Sequence, residues 1–115
     1  MRGIFMKVAV IGSRNINVDI QNHIPHGVDE IVSGGAKGVD SCAAAFARKE
    51  GIKLIEFLPE YEKYGRAAPI VRNKQIVDYA DEVIAFWDGK SKGTLSVIKY
   101  CEKTKTPCKI IKCDV

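Results

Sequence analysis

At 115 residues, with 46% hydrophobic and 28% charged residues, the chain has the makeup of one globular domain spanning residues 1–115, too short to carry a separate substrate domain beside a full core. No run approaches the roughly 18 uninterrupted apolar residues of a membrane span, and the opening Met1-Arg2-Gly3-Ile4-Phe5-Met6 is too short for a secretory signal, so a cytoplasmic protein with no membrane partner is expected. The formal charge of +4 favours anionic ligands but falls well short of the dense basic face of a duplex-DNA binder. Cys42, Cys101, Cys108 and Cys113 show neither Cys-x-x-Cys spacing nor a histidine pattern, which speaks against a zinc site and a disulfide framework; no metal and no cofactor is called for.

In chain order, Lys7-Val8-Ala9-Val10-Ile11 is an apolar, β-branched run without polar alternation, the pattern of a strand covered on both faces. Gly12-Ser13-Arg14 ends it. Ile16, Ile20 and Ile24 recur every fourth residue and predict a short helix closed by Pro25 and Gly27. Glu30-Ile31-Val32-Ser33 reads as the second strand. A helix to Gly51 follows, with Val39, Cys42, Ala43, Phe46 and Ala47 on its apolar face. The third strand spans Lys53 to Leu58 and is stopped by Pro59. Pro59 to Ala68 has no clear period and reads as an extended loop. Pro69 starts a helix to about Ala80, Glu82 to Trp87 gives a fourth strand, and Asp88 to Gly93 a polar loop. A helix carrying Leu95, Val97, Ile98 and Cys101 runs to about Lys103, and Pro107 to Cys113 supplies a fifth strand. Strands alternating with helices imply an α/β fold: a five-stranded parallel sheet, expected in the order 3-2-1-4-5, with helices on both faces.

Between the second strand and its helix lies Val32-Ser33-Gly34-Gly35-Ala36-Lys37-Gly38-Val39-Asp40. Its three glycines permit a tight turn and close approach of backbone N–H groups to a ligand, and the helix N-terminus behind it favours an anion. The ligand's phosphate is expected against Gly34 to Gly38 and Gly93-Thr94, with Gly35 at the point of closest approach. The alternative is that these glycines serve only helix-on-sheet packing. Neither a Gly-Lys-Ser/Thr ending nor Gly-x-Gly-x-x-Gly is present, which disfavours standard ATPases and NAD dehydrogenases.

Ligands of such sheets lie beyond the carboxyl ends of the strands where the strand order reverses. That rule gathers Gly12-Ser13-Arg14, Gly34 to Gly38, and Asp88-Gly89-Lys90-Ser91-Lys92-Gly93-Thr94. Arg14, Lys37, Lys90 and Lys92 belong to these loops and Arg66 and Arg72 lie on the approach to strand four, so much of the basic charge falls on one rim. Asn73 is placed among Ile70, Ile76, Val77 and Ala80 on an apolar stripe, where its amide either braces the loops or reaches a ligand. Asp40 is expected to accept hydrogen bonds from loop N–H groups or ribose hydroxyls rather than to face phosphate. His23 and His26 read as surface residues and Trp87 as core. Tyr61 and Tyr64 either stack on a base or latch their loop.

Taken together, Gly-Ser-Arg, Ser-Gly-Gly-Ala-Lys-Gly-Val-Asp, Tyr-Gly-Arg-Ala-Ala-Pro-Ile-Val-Arg-Asn and the later Gly-Thr resemble the SLOG superfamily, most closely its YspA-like branch. The resemblance runs from about Lys7 to Lys112 and implies a Rossmann-like fold that binds a nucleotide or nucleotide-derived small molecule. Together with the loop positions read above, it makes Gly12, Ser13, Arg14, Ser33, Gly34, Gly35, Ala36, Lys37, Gly38, Asp40, Arg72, Asn73, Asp88, Gly93 and Thr94 the candidate binding residues. LOG phosphoribohydrolases in this superfamily split a nucleoside monophosphate into base and ribose phosphate, and DprA binds single-stranded DNA. Gly93 and Thr94 match the LOG motif Pro-Gly-Gly-x-Gly-Thr-x-x-Glu, whereas Trp87-Asp88-Gly89 replaces its opening and Val97 its glutamate. Arg72 and Asn73 correspond to an Arg-Asn pair of DprA. Binding of a nucleotide or nucleotide-derived phosphate ligand, as a sensor or processing domain, thus stands first, with N-glycosidic hydrolysis and single-strand binding as alternatives; nucleic acid ranks behind a small molecule as partner, and a homo-oligomer is a further expected partner.

Overall fold

Five parallel strands form one sheet in the computed structural model, which describes residues 5–113; residues 1–4 of the opening stretch weighed above as a leader lie outside them. The strands are β1 (Lys7–Gly12), β2 (Glu30–Ser33), β3 (Lys53–Glu56), β4 (Glu82–Trp87) and β5 (Cys108–Lys112). Their order is β3-β2-β1-β4-β5, as expected, and every neighbouring pair is parallel.

The helices are α1 (Val39–Glu50), α2 (Tyr61–Tyr64), α3 (Ala68–Tyr79) and α4 (Lys92–Thr104). Alternate residues of the central strands feed two separate cores. Val8, Val10, Ile31, Ile84 and Phe86 pack with Val39, Ala43 and Ala47 of α1. Ala9, Ile11, Val32, Val83 and Ala85 pack on the other face with Ile76 and Val77 of α3 and Val97, Ile98 and Cys101 of α4. This two-sided cover explains why β1 and β4 read as unbroken apolar runs. β1 ends at Gly12, where an added Cβ would lie 2.6 Å from both the Phe86 carbonyl oxygen and a Val39 methyl group. Glycine there lets the start of α1 close onto the sheet.

Three local expectations are corrected. The helix expected over Ile16 to Ile24 is a strap with one 3₁₀ turn at Gln21–His23. Its fourfold apolar spacing marks anchors: Ile16 and Ile20 are buried in the α1-side core. Asp19 Oδ1 accepts from Gln21 N at 3.1 Å, a local bond that competes with helix formation. The stretch expected as a loop after Pro59 holds α2 and a 3₁₀ turn at Gly65–Ala67, leading into α3 at Ala68. Both helical pieces are too short for a helical period to repeat. β3 ends at Glu56 rather than Leu58.

Among the described residues no helix is long and apolar enough to cross a membrane, and no cluster of His, Cys, Asp and Glu is arranged to hold a metal ion.

Candidate functional site

A pocket of about 410 Å³ opens at the carboxyl ends of β1, β2 and β4, within the size range of small-molecule sites. Of the residues singled out from the sequence, Gly12, Ser13, Arg14, Gly34, Ala36, Asp40, Arg72, Asn73, Asp88, Gly93 and Thr94 line it. Ser33, Gly35, Lys37 and Gly38 do not.

Arg72 is the centre of the arrangement. It projects from α3, is only 9% exposed, and donates from Nη1 to the Gly34 carbonyl at 2.7 Å and from Nε to Asn73 Oδ1 at 2.9 Å. A guanidinium has five N–H donors, so these bonds fix its plane and leave donors for the pocket. Burial lowers its affinity for a proton, opposed first by the Asp40 carboxylate, yet arginine stays cationic at any physiological pH. Asn73, with its carbonyl taken by Arg72, has its amide N–H groups available to a ligand acceptor.

Asp40, in the first turn of α1 and 7% exposed, adjoins Arg72 in the pocket lining. Its Oδ2 accepts from Ala36 N at 3.1 Å, as the sequence suggested for loop N–H groups. Gly34 lies between the two charged groups: a Cβ there would meet Arg72 Nη1 at 2.7 Å and Asp40 Oδ2 at 3.0 Å. The absence of a side chain at Gly34 is what allows this approach. Gly35 N is directed at Ser33 Oγ, 3.3 Å away, so the N–H groups of Gly35 and Ala36 serve the chain's own side chains. Gly35 has φ +71°, and its open side faces Leu58 rather than the pocket. Lys37 is exposed beside this turn.

Burial pushes the Asp40 carboxyl above the ordinary carboxylate range, against the Ala36 N–H and the Arg72 and Arg14 charges that favour ionisation. The native state therefore binds a proton at pH values where the unfolded chain has released it, so this group's stabilising contribution is present below the unfolded value of 3.8 and is lost as pH rises through the higher native value. Urea unfolding of the wild-type chain against Asp40→Asn is expected to show a stability difference that turns against the wild type as pH rises over this window. A flat or opposite difference would contradict a desolvated carboxyl at this position.

The start of α4 forms another wall. Asp88 Oδ1 accepts from Lys90 N at 2.8 Å and Ser91 N at 2.7 Å; these bonds, the Ser91 one foremost, hold its carboxyl below the usual range and ionised. Ser91 caps α4 by accepting from Thr94 N at 3.3 Å, and Trp87 Nε1 donates to Ser91 O at 3.0 Å. Trp87 thus braces the loop from a half-buried position. Gly93 lines the pocket with open space where a side chain would stand, so a ligand has access to the positive end of α4. Arg14, exposed on the loop after β1, faces the same space.

Asn15, Pro69, Ile76, Ser91 and Val97 also line the pocket and were not singled out as binding residues. Ser91 was readable as a helix cap from its place before an apolar-periodic run; the others have no local signature. The apolar stripe assigned to α3 is corrected in phase. Ile70 is 51% exposed and the buried positions include Ala68, Arg72, Ile76 and Val77, so Arg72, not Asn73, is the polar residue on the buried face. His23 is half-buried with its ring edge-on to Phe86, centroids 5.4 Å apart, whereas His26 is exposed as expected.

Fold and pocket together define a Rossmann-like α/β protein with a polar, arginine-bearing pocket at the sheet's switch point. Residues 19–64 match the model of the YspA, cpYpsA-related SLOG family, which supports the SLOG superfamily, in its YspA-like branch. The match takes in the glycine turn from Ser33 to Asp40 and ends before Arg72, Asp88 and Thr94. No curated protein and no solved structure matches the chain.

Proposed function

We propose that the chain binds a nucleotide or nucleotide-derived phosphate ligand in the switch-point pocket, as a sensor or processing domain acting in the cytoplasm. One observation carries this reading. Arg72 is a buried guanidinium, oriented by Gly34 and Asn73, at the wall of a pocket that also receives the N-terminus of α4. Burying an arginine is costly unless a partner is found, and a fixed, planar donor set matches the geometry of a phosphate. The ligand's phosphate is placed between Arg72 and Gly93-Thr94, with Arg14 closing from the exposed side. SLOG membership accords with a nucleotide-related ligand.

A thermal-shift panel of nucleoside monophosphates and diphosphates, ADP-ribose and NAD tests the reading. A binder present at about a hundred times its Kd stabilises the fold by roughly 2.7 kcal/mol, a rise of several degrees in Tm. Failure of every compound to bind at millimolar concentration would overturn the proposal.

A second reading, N-glycosidic hydrolysis, is favoured by the opposite shifts of two pocket carboxyls, Asp40 raised and Asp88 lowered, the usual division between an acid and a carboxylate. Val97 occupies the position of the LOG glutamate and is buried, so either aspartate would have to act in its place. Release of free base and ribose phosphate from a nucleoside monophosphate, lost in Arg72→Ala, is the result this reading requires.

A further inference from the structure

A second surface adjoins the pocket at the end of β3. Gly34 and Ala36 line the pocket, and Gly35 between them turns its open side outward: an added Cβ would lie 2.6 Å from Leu58 Cδ2 and 3.5 Å from Glu56 Oε2. The pocket wall therefore passes over one glycine to Glu56 and Leu58. Leu58 is 60% exposed, and Tyr61, at the start of α2, is 57% exposed. The Tyr61 phenol is within electrostatic reach of Arg72, and Glu56 within that of Asp40.

The chemistry of this strip differs from that of the pocket. Glu56 is exposed and is an acceptor when ionised; it repels a phosphate and calls for hydroxyl or amine donors. Leu58 and Tyr61 leave a large apolar side chain and an aromatic ring in solvent, suited to the face of a planar base. Glu56 ends β3, which pairs with β2 beside the glycine turn, so its carboxylate stands at the carboxyl edge of the sheet next to the pocket loop.

Resting on the reading of the pocket as a phosphate site, we propose that Glu56, Leu58 and Tyr61 form a nucleoside shelf, on which Glu56 accepts the ribose 2′- and 3′-hydroxyls and the base lies against Leu58 and Tyr61, so that the ligand is a ribonucleotide. The shelf then supplies the sugar and base recognition that Arg72 and the start of α4 do not.

Calorimetric titration of the full chain with AMP and 2′-deoxy-AMP, on the wild type and on Glu56→Ala, Tyr61→Ala and Arg72→Ala, tests it. The wild type is expected to prefer AMP by roughly tenfold, the effect of one charge-assisted hydrogen bond. Glu56→Ala should bring that ratio to about one, and the ratio is insensitive to the general electrostatic gain of removing a carboxylate. Tyr61→Ala should weaken both nucleotides by roughly tenfold and keep the ratio, as expected for a lost base stack. Equal affinities in the wild type, a ratio unchanged in Glu56→Ala, or full affinity in Tyr61→Ala would overturn the shelf; binding of both nucleotides that still depends on Arg72 would then leave the phosphate site standing. Absence of binding by either nucleotide would overturn the shelf, whereas the phosphate site falls only if every compound of the nucleotide panel fails as well.

Discussion

Replacing Arg72 with alanine is expected to weaken phosphate-dependent nucleotide binding at least about a hundredfold, and to lower the stability of the unliganded chain by about 2–3 kcal/mol. The affinity loss follows from removing the oriented cation in the pocket wall. The stability loss follows from the 2.7 Å bond to the Gly34 carbonyl, which is buried, and from Asp40, whose buried carboxyl is favoured more by the Arg72 charge than by that of Arg14. Arg72→Lys separates charge from geometry. Lysine keeps the cation but has no planar fork to reach both Gly34 O and Asn73 Oδ1, so it should restore part of the stability and little of the affinity. Urea unfolding and calorimetry on the same preparations measure the two effects.

Gly38→Ala is expected to damage the fold more than the site. Gly38 caps α1 with φ 73° and ψ −125°, a region that costs a residue with a side chain about 1–3 kcal/mol. Its added Cβ would stand 2.4 Å from the Arg14 carbonyl oxygen and 2.6 Å from the Arg14 carbonyl carbon. Both are backbone atoms, so the loop after β1 must move away from the start of α1. The combined loss should exceed about 3 kcal/mol. Because Arg14 and Asn15 move with that loop, affinity should fall as well, by roughly tenfold for one displaced charged contact. A Gly38→Ala protein within about 0.5 kcal/mol of the wild type would contradict the packed contact between the two loops.

These predictions rest on features of unequal legibility. The sheet was readable because strands covered on both faces must be apolar throughout, and Val8 to Ile11 and Val83 to Phe86 are. The loops that meet at the pocket were readable from the strand order, since topology decides which carboxyl ends are adjacent. What a loop does once there was less so. Gly35 and Gly38 have the same positive φ, yet one turns toward β3 and the other against Arg14; their roles depend on neighbours distant in sequence. On α3, the apolar Ile70 set the phase of the stripe wrongly because a buried arginine is legible only when Gly34 O and Asn73 are seen to receive it. Glu56 carries an ordinary local pattern, and only the turn of Gly35 toward its carboxylate sets it apart.

The central claim is that the pocket recognises the phosphate of a nucleotide through Arg72 and the start of α4. Its most direct measurement is a calorimetric comparison of AMP with adenosine on the wild-type chain, since the two differ only in the group assigned to that site. The account predicts that AMP binds and that adenosine binds at least about a hundredfold more weakly, the loss of two or more charge-assisted hydrogen bonds. Equal affinities for the two would contradict it.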